Sequence, residues 1–320
     1  MGYFCILLAF LSLLVSQSMA SALCPNKEDL APCTCDGEGI NCMYVVDDAD
    51  LQQVFKASFE PNSFRALFIQ GTPVTIIPKG LFSRIRVQDF MLDVNKISIV
   101  ESGAFEGSEN TARIISFYDN QLKDFPFGDI QKFPGLLTFN LGLNKLASVP
   151  DSAFGPHPNL RTIILAENEI TSIGRGAFSG LPKLSNVELG SNKISTLGPQ
   201  SLAMTGHSVG LAIVLSNNKI ADIAPDALRG TTPAYLALNE NNLEFLDKDV
   251  FLPLMKDMTK VQNAQIRFKG NPFSCIGCNK YQWLVENKET VMKLLTDFLC
   301  VDGRTLVDLE TTDVGCPAFL

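Results

Sequence analysis

The sequence predicts an α/β repeat fold, a horseshoe-shaped solenoid of about nine coils with a parallel β-sheet on its concave face. A segment of about 24 residues recurs from residue 64 to residue 273, and such a period is typical of repeat architectures. The cysteines of the chain lie outside the repeats and indicate a disulfide-stapled cap at each end. The 320 residues are 46% hydrophobic, which excludes a disordered protein.

The repeat follows the pattern L-x-x-L-x-L-x-x-N-x-L, as in LRTIILAENEI at residues 160–170. An earlier copy, LFIQGTPV, has Thr72 at the asparagine position, and successive copies lie 23 to 30 residues apart. This spacing is typical of leucine-rich repeats. The asparagine position is filled by Asn95, Asn120, Asn144, Asn168, Asn192, Asn218, Asn241 and Asn271.

Each coil is predicted to begin with a short strand. In the copy around Asn168, alternate residues such as Ile163 and Leu165 point to the core, and Ile173 and Phe178 from the second half of the coil join them. A buried amide is costly unless its hydrogen bonds are made. We therefore expect the asparagines to be buried, to bond free backbone groups of their own and the adjacent coil, and to have a structural role.

The strand residues that alternate with the core positions are predicted to line the concave surface, three from each coil. Only five of these 27 positions are charged. An apolar surface of this extent is expected to bind a protein or an apolar ligand, although strands favour β-branched and aromatic residues in any case. The predicted partner-binding residues are Phe68, Met91, Ile114, Tyr118, Ile164, Val214 and Tyr235.

The two ends of the chain indicate a secreted protein. Residues 1–22 contain an uncharged apolar run followed by small residues, which predicts a signal peptide, and the C-terminal residues lack the hydrophobic stretch of a lipid anchor. The predicted domains are then an N-terminal cysteine cap at 23–63, the repeats at 64–273 and a C-terminal cysteine cap at 274–320. A net charge of -8 argues against a nucleic acid as partner, and no membrane anchor is expected.

Eight cysteines remain once Cys5 leaves with the signal peptide. They form two groups of four, separated by 232 residues without cysteine, which favours two disulfide-bonded caps. The sequence CIGC could instead indicate a redox or zinc site, but a zinc ribbon needs a second close pair. The two groups are Cys24, Cys33, Cys35 and Cys42, then Cys275, Cys278, Cys300 and Cys316.

The sequence contains none of the common catalytic motifs. The chain has no zinc-protease, nucleophile-elbow, phosphate-loop or dinucleotide fingerprint. His157 and His207 lie in loops without a nearby acid or nucleophile pattern, so both are expected to be exposed. The sequence thus predicts no catalytic residue, no metal site and no cofactor in this chain.

The end sequences resemble the caps of secreted leucine-rich-repeat proteins, through CPNKEDLAPCTCDGEGINC at one end and NPFSCIGCNKYQWLV at the other. The family's usual C-terminal motif is C-x-C, whereas this chain has C-x-x-C. The resemblance implies four disulfides, which are Cys24–Cys35, Cys33–Cys42, Cys275–Cys300 and Cys278–Cys316.

Further segments, including SFEPNSFRALFIQG and VFLPLMKDM, resemble an arthropod family that includes non-catalytic subunits of secreted luciferases. In that family a small catalytic luciferase subunit oxidises coelenterazine with oxygen, without metal or flavin. The resemblance implies that this chain binds and stabilises such a subunit in a hetero-oligomer. The alternative is a general extracellular recognition module for another protein or a glycan, since the periodicity and composition fit both.

Overall fold

A computed structural model describes residues 24–60 and 62–315, apart from the side chain of residue 279. It divides into two compact units, one ending at Asp129 and one beginning at Ile130. Both units are built of stacked leucine-rich-repeat coils, and together they contain about eight turns. The predicted leucine-rich-repeat solenoid with parallel strands is confirmed, although about nine coils were expected. A 3-10 helix, Phe127–Lys132, spans the point in the sequence where unit 1 ends.

Unit 1 carries one main sheet, in which β1 pairs with β2 antiparallel and the following neighbours β2, β3, β5 and β7 are parallel. The short strands β4 and β6 form a second parallel pair in the later part of the coils. The strands are β1 (Thr34–Cys35), β2 (Gly39–Asn41), β3 (Ser63–Phe68), β4 (Ile76–Ile77), β5 (Arg86–Met91), β6 (Ile99–Val100) and β7 (Ile114–Ser116).

Unit 2 has the same plan. Its main sheet is parallel, in the order β8, β10, β12, β14, β16 and β17, and two short pairs, β9 with β11 and β13 with β15, lie in the later part of the coils. The strands are β8 (Thr138–Asn140), β9 (Ser148–Val149), β10 (Thr162–Ile164), β11 (Ser172–Ile173), β12 (Asn186–Glu188), β13 (Thr196–Leu197), β14 (Ala212–Val214), β15 (Asp222–Ile223), β16 (Tyr235–Ala237) and β17 (Gln265–Arg267).

The repeat asparagines are buried and hydrogen-bonded. Asn168 is 7% exposed, accepts from the backbone N–H of Leu146 at 3.0 Å and donates to the carbonyls of Leu141, Leu165 and Ala166 at 2.8 to 3.2 Å. Asn168 therefore joins its own coil to the preceding one, and the same pattern of bonds recurs at Asn192, Asn218 and Asn241. The buried members are Asn95, Asn120, Asn144, Asn168, Asn192, Asn218, Asn241 and Asn271.

The residue before each asparagine adopts a left-handed backbone conformation. Gly270 supplies glycine before Asn271, and Gly71 has the same conformation before Thr72, whereas β-branched Val94 holds a φ of 59°. This conformation turns the chain out of the strand, and it is strained for residues with a Cβ atom. The non-glycine members are Val94, Asp119, Leu143, Glu167, Ser191, Asn217 and Glu240.

Leucine, isoleucine and phenylalanine fill the interior of the coils. In unit 1, the rings of Phe90 and Phe105 meet edge to face with centroids 4.8 Å apart, and in unit 2 Phe154 stacks on Phe178 at 5.3 Å. These rings are buried: the first pair packs the second half of a coil against its strand, and the second pair packs the second halves of two neighbouring coils together. A single coil could not bury this surface alone, which explains the need for neighbours and caps.

Helices occur mainly near the ends of the chain. The helix α3 includes much of the segment that makes the last repeat spacing longer than the others, and Asp247 caps it through the N–H of Asp249. The helices are α1 (Lys27–Leu30), α2 (Asp48–Val54), α3 (Lys248–Met258), α4 (Cys278–Glu286) and α5 (Lys288–Val291).

Disulfides join the cysteines at both ends of the chain. The bonds are Cys24–Cys35, Cys33–Cys42 and Cys275–Cys300, which are pairs that the resemblance implies. Cys278 is also disulfide-bonded, but its predicted partner Cys316 lies outside the described residues, so this pairing stays a prediction.

The predicted signal peptide, residues 1–22, also lies outside the described residues. Among the residues that are described, no helix has both the length and the apolar character needed to cross a membrane.

The expectation that both histidines are exposed is wrong. His157 is 1% exposed, with Nε2 placed 2.9 Å from the carbonyl of Phe133 and Nδ1 accepting from the N–H groups of Asn159 and Leu160. This pattern fits a neutral imidazole that donates through Nε2. His207 is half-buried, and its Nε2 accepts from the N–H of Thr232. Loop histidines here satisfy backbone groups.

Candidate protein-binding faces

The outward side of the unit 1 strands forms a face of nine residues, which we call the unit 1 face. Its members come from three neighbouring coils: six share the register of β3, β5 and β7, and Gln70, Asp93 and Tyr118 follow the ends of those strands. They are Ala66, Phe68, Gln70, Asp89, Met91, Asp93, Ile114, Ser116 and Tyr118. Two of the nine are acidic and none is basic.

Four of the predicted partner-binding residues lie on this face. Phe68 and Met91 are direct neighbours in the β3–β5 register, and Ile114 faces Asp89 in the β5–β7 register. Phe68, Met91 and Ile114 are half-buried, and Tyr118 is 40% exposed. The face thus presents an apolar surface held in place by regular strand pairing.

Two residues that the sequence did not single out extend this apolar surface. Met43 follows β2 and is 51% exposed, and its Sδ lies 3.3 Å from the amide of Asn41, the register partner of Phe68. Val94, also 51% exposed, donates its N–H to the carbonyl of Tyr118 at 2.8 Å. Neither has a sequence signal, because Met43 lies outside the repeat pattern and Val94 occupies a turn position.

The carboxylates on the unit 1 face have different environments. Asp93 accepts hydrogen bonds from Ser116 Oγ at 2.6 Å, the N–H of Tyr118 at 2.9 Å and Gln70 Nε2 at 3.4 Å. Asp89 is half-buried, and its carboxylate forms no hydrogen bond or ion pair with any described residue. Its burial raises the pKa of the Asp89 carboxyl, against the opposing influence of nearby arginines.

The corresponding face of unit 2 is more polar. Of the predicted residues, Ile164 and Val214 are half-buried and Tyr235 is 36% exposed. Glu188 lies between Ile164 and Val214 in the strand register and accepts from the amide of Asn186 at 3.0 Å. These three apolar residues therefore do not form a continuous row.

The outward faces consist of strand side chains fixed by backbone pairing. The described residues contain no group of three or more His, Cys, Asp or Glu side chains placed to hold a metal ion. An arrangement of paired strands can position apolar and hydrogen-bonding groups against another molecule. The geometry of these faces therefore suits binding.

Comparison with known proteins agrees with this geometry. A family model described as a leucine rich repeat matches residues 158–204. A chain from the octameric complex of latrophilin 3, Unc5D and FLRT2 (LRR) superposes with a TM-score of 0.54 over 89% of this chain and 99% of that chain, at 20% identity. The fold is a leucine-rich-repeat solenoid.

One relative is similar to this chain over most of its length. The Oplophorus-luciferin 2-monooxygenase non-catalytic subunit of Oplophorus gracilirostris is 26% identical over 316 residues, covering 90% of this chain and 86% of the relative. The chain is thus a leucine-rich-repeat protein with distant similarity to a luciferase subunit that is itself named non-catalytic.

Proposed function

We infer that this protein is a secreted, non-catalytic accessory subunit that binds and stabilises the small catalytic subunit of a coelenterazine-oxidising luciferase. The observation that supports this function most is the unit 1 face, where Phe68, Met91 and Ile114 on paired strands and Tyr118 just after β7 form an apolar surface. The similarity to the Oplophorus non-catalytic subunit over 90% of the chain supports the choice of partner. Disulfide-bonded caps support an extracellular location.

Protein binding fits this face better than catalysis by the chain itself. Apolar and aromatic residues enriched at the centre of a surface are typical of protein interfaces, and a monomer seldom exposes a large contiguous apolar area. The proposed role is to hold the catalytic chain by contacts with the outward strand residues. Ile164, Val214 and Tyr235 of unit 2 are proposed as additional contacts.

Capture from the native secretion tests this function. The protein is isolated under gentle conditions, and co-eluting chains are identified by mass spectrometry and assayed for light after addition of coelenterazine. We expect a small catalytic chain in fixed ratio, with light from the complex. An unrelated protein in its place would overturn the luciferase role and favour the general recognition module. Light from this chain alone would contradict its non-catalytic assignment.

A further inference from the structure

The unit 1 face carries a charge imbalance that bears on its partner. Its nine residues include two carboxylates, Asp89 and Asp93, and no lysine or arginine. Interfaces pair opposite electrostatic potentials, and like charges brought together oppose binding. A protein that covers this face is therefore expected to present positive charge to it.

The two carboxylates are not equivalent in what they can offer. Asp93 already accepts three hydrogen bonds from its own unit, including one from Ser116 Oγ at 2.6 Å. Asp89 accepts none from the described residues. A half-buried carboxylate without a donor has lost part of its hydration without compensation, so it gains most from a donor supplied by a partner.

The arginines near Asp89 do not donate a hydrogen bond to its carboxylate. Arg65 forms an ion pair with Glu38 at 3.1 Å, and Arg113 forms none with Asp89. In the strand register Asp89 lies between Ala66 and Ile114, whose side chains are apolar and cannot donate. The missing donor therefore has to reach Asp89 from the solvent side of the sheet, where a docked protein would lie.

We propose that Asp89 determines the specificity of the unit 1 face by receiving a lysine or arginine side chain of the docked protein, next to an apolar side chain packed on Met91 and Ile114. This proposal rests on the protein-binding role inferred above and specifies the chemistry of the partner. Asp93 fixes the position of neighbouring groups and does not bind the cation.

Synthetic peptides that carry the proposed chemistry test this role of Asp89. The probes are blocked Leu-Arg-Leu and its isostere with citrulline, which has the shape of arginine without the charge. Binding to the full secreted chain at neutral pH is followed by the NMR methyl signals of Met91 and Ile114. We expect the arginine peptide to shift both signals and to bind about tenfold more tightly than the citrulline peptide, because hydrogen bonds to charged groups are stronger than neutral ones.

The variants Asp89→Asn and Asp119→Asn form a matched pair. Both remove one negative charge from unit 1, but only the first changes the group proposed to bind the cation. Asp89→Asn should abolish the preference for arginine over citrulline, whereas Asp119→Asn should keep it. Equal binding of both peptides to the unaltered chain, an equal loss in both variants, or no methyl shift at millimolar peptide would overturn the proposal.

This result can be separated from the test of the proposed function. If the catalytic chain is captured but the complex with the Asp89→Asn chain is equally tight, the role of Asp89 fails and the accessory function stands. If no catalytic chain is captured, the accessory function fails. The peptides then still show whether the face selects a cation.

Discussion

Replacing Asn168 with alanine tests how the repeat is held together. The backbone N–H of buried Leu146 has the Asn168 Oδ1 as its acceptor, so this donor becomes unsatisfied in the variant. An unsatisfied buried donor costs about 1–3 kcal/mol. The carbonyls of Leu141 and Leu165 keep donors from Asn144 and Asn192, so their losses are smaller. We expect Asn168→Ala to lower the free energy of unfolding by about 2–4 kcal/mol in total.

Urea unfolding followed by circular dichroism, with the disulfides intact, measures this change. The matched control is Asn242→Ala, since the Asn242 side chain is exposed and makes no hydrogen bond to a described residue. We expect the control to stay within about 0.5 kcal/mol of the unaltered protein. A loss of less than about 1 kcal/mol in Asn168→Ala would refute the view that the asparagines join the coils.

Further predictions concern pH and the first cap. Burial lowers the pKa of His157 below 6.5, so its neutral form is favoured in the folded state, and the stability that it contributes is lost as pH falls below 6.5. Urea unfolding between about pH 7 and pH 5 should show this loss, and His157→Gln should remove it. Asp48 accepts three hydrogen bonds from Thr75 and Ile76, so Asp48→Ala should lower the free energy of unfolding by about 1–2 kcal/mol at neutral pH. In thermal unfolding, an unchanged midpoint would contradict this.

The pH dependence of the Asp48 contribution has the same sign as that of His157 but lies in a lower pH range. Although burial opposes it, hydrogen bonding from Thr75 and Ile76 lowers the pKa of Asp48 below 3.8. Its contribution is therefore present above pH 3.8 and is lost as pH falls through the lowered value.

The repeat spacing was sufficient to predict the coils, because strand alternation and the buried asparagine recur at intervals of 23 to 30 residues. The left-handed residue before each asparagine could not be predicted in the same way. Glycine, the usual sequence signal for this conformation, precedes only Asn271 among the asparagines, as Gly270, and precedes Thr72 as Gly71. Val94 and Leu143 adopt it because the stacked coils fix the turn.

Single side chains with long-range environments were harder to predict. The sequence around His157 shows no partner, because the carbonyl of Phe133 lies in the preceding coil, 24 residues away. The same holds for Asp89, whose lack of a donor depends on residues of three coils. The pattern alone placed the predicted apolar residues on or next to strands. The register was needed to show that Phe68 and Met91 are neighbours and that Glu188 separates Ile164 from Val214.

The central claim is that outward strand residues hold a small catalytic luciferase chain. The most direct test measures how much of that chain co-elutes with the variants Tyr118→Ala and Ile164→Asp, compared with Val209→Ala. Val209 is 79% exposed and lies outside the strands. We expect the Tyr118→Ala and Ile164→Asp chains to keep their circular dichroism spectra and to bind about tenfold or more weakly, whereas Val209→Ala binds normally. Undiminished co-elution with both the Tyr118→Ala and the Ile164→Asp chains would contradict the account.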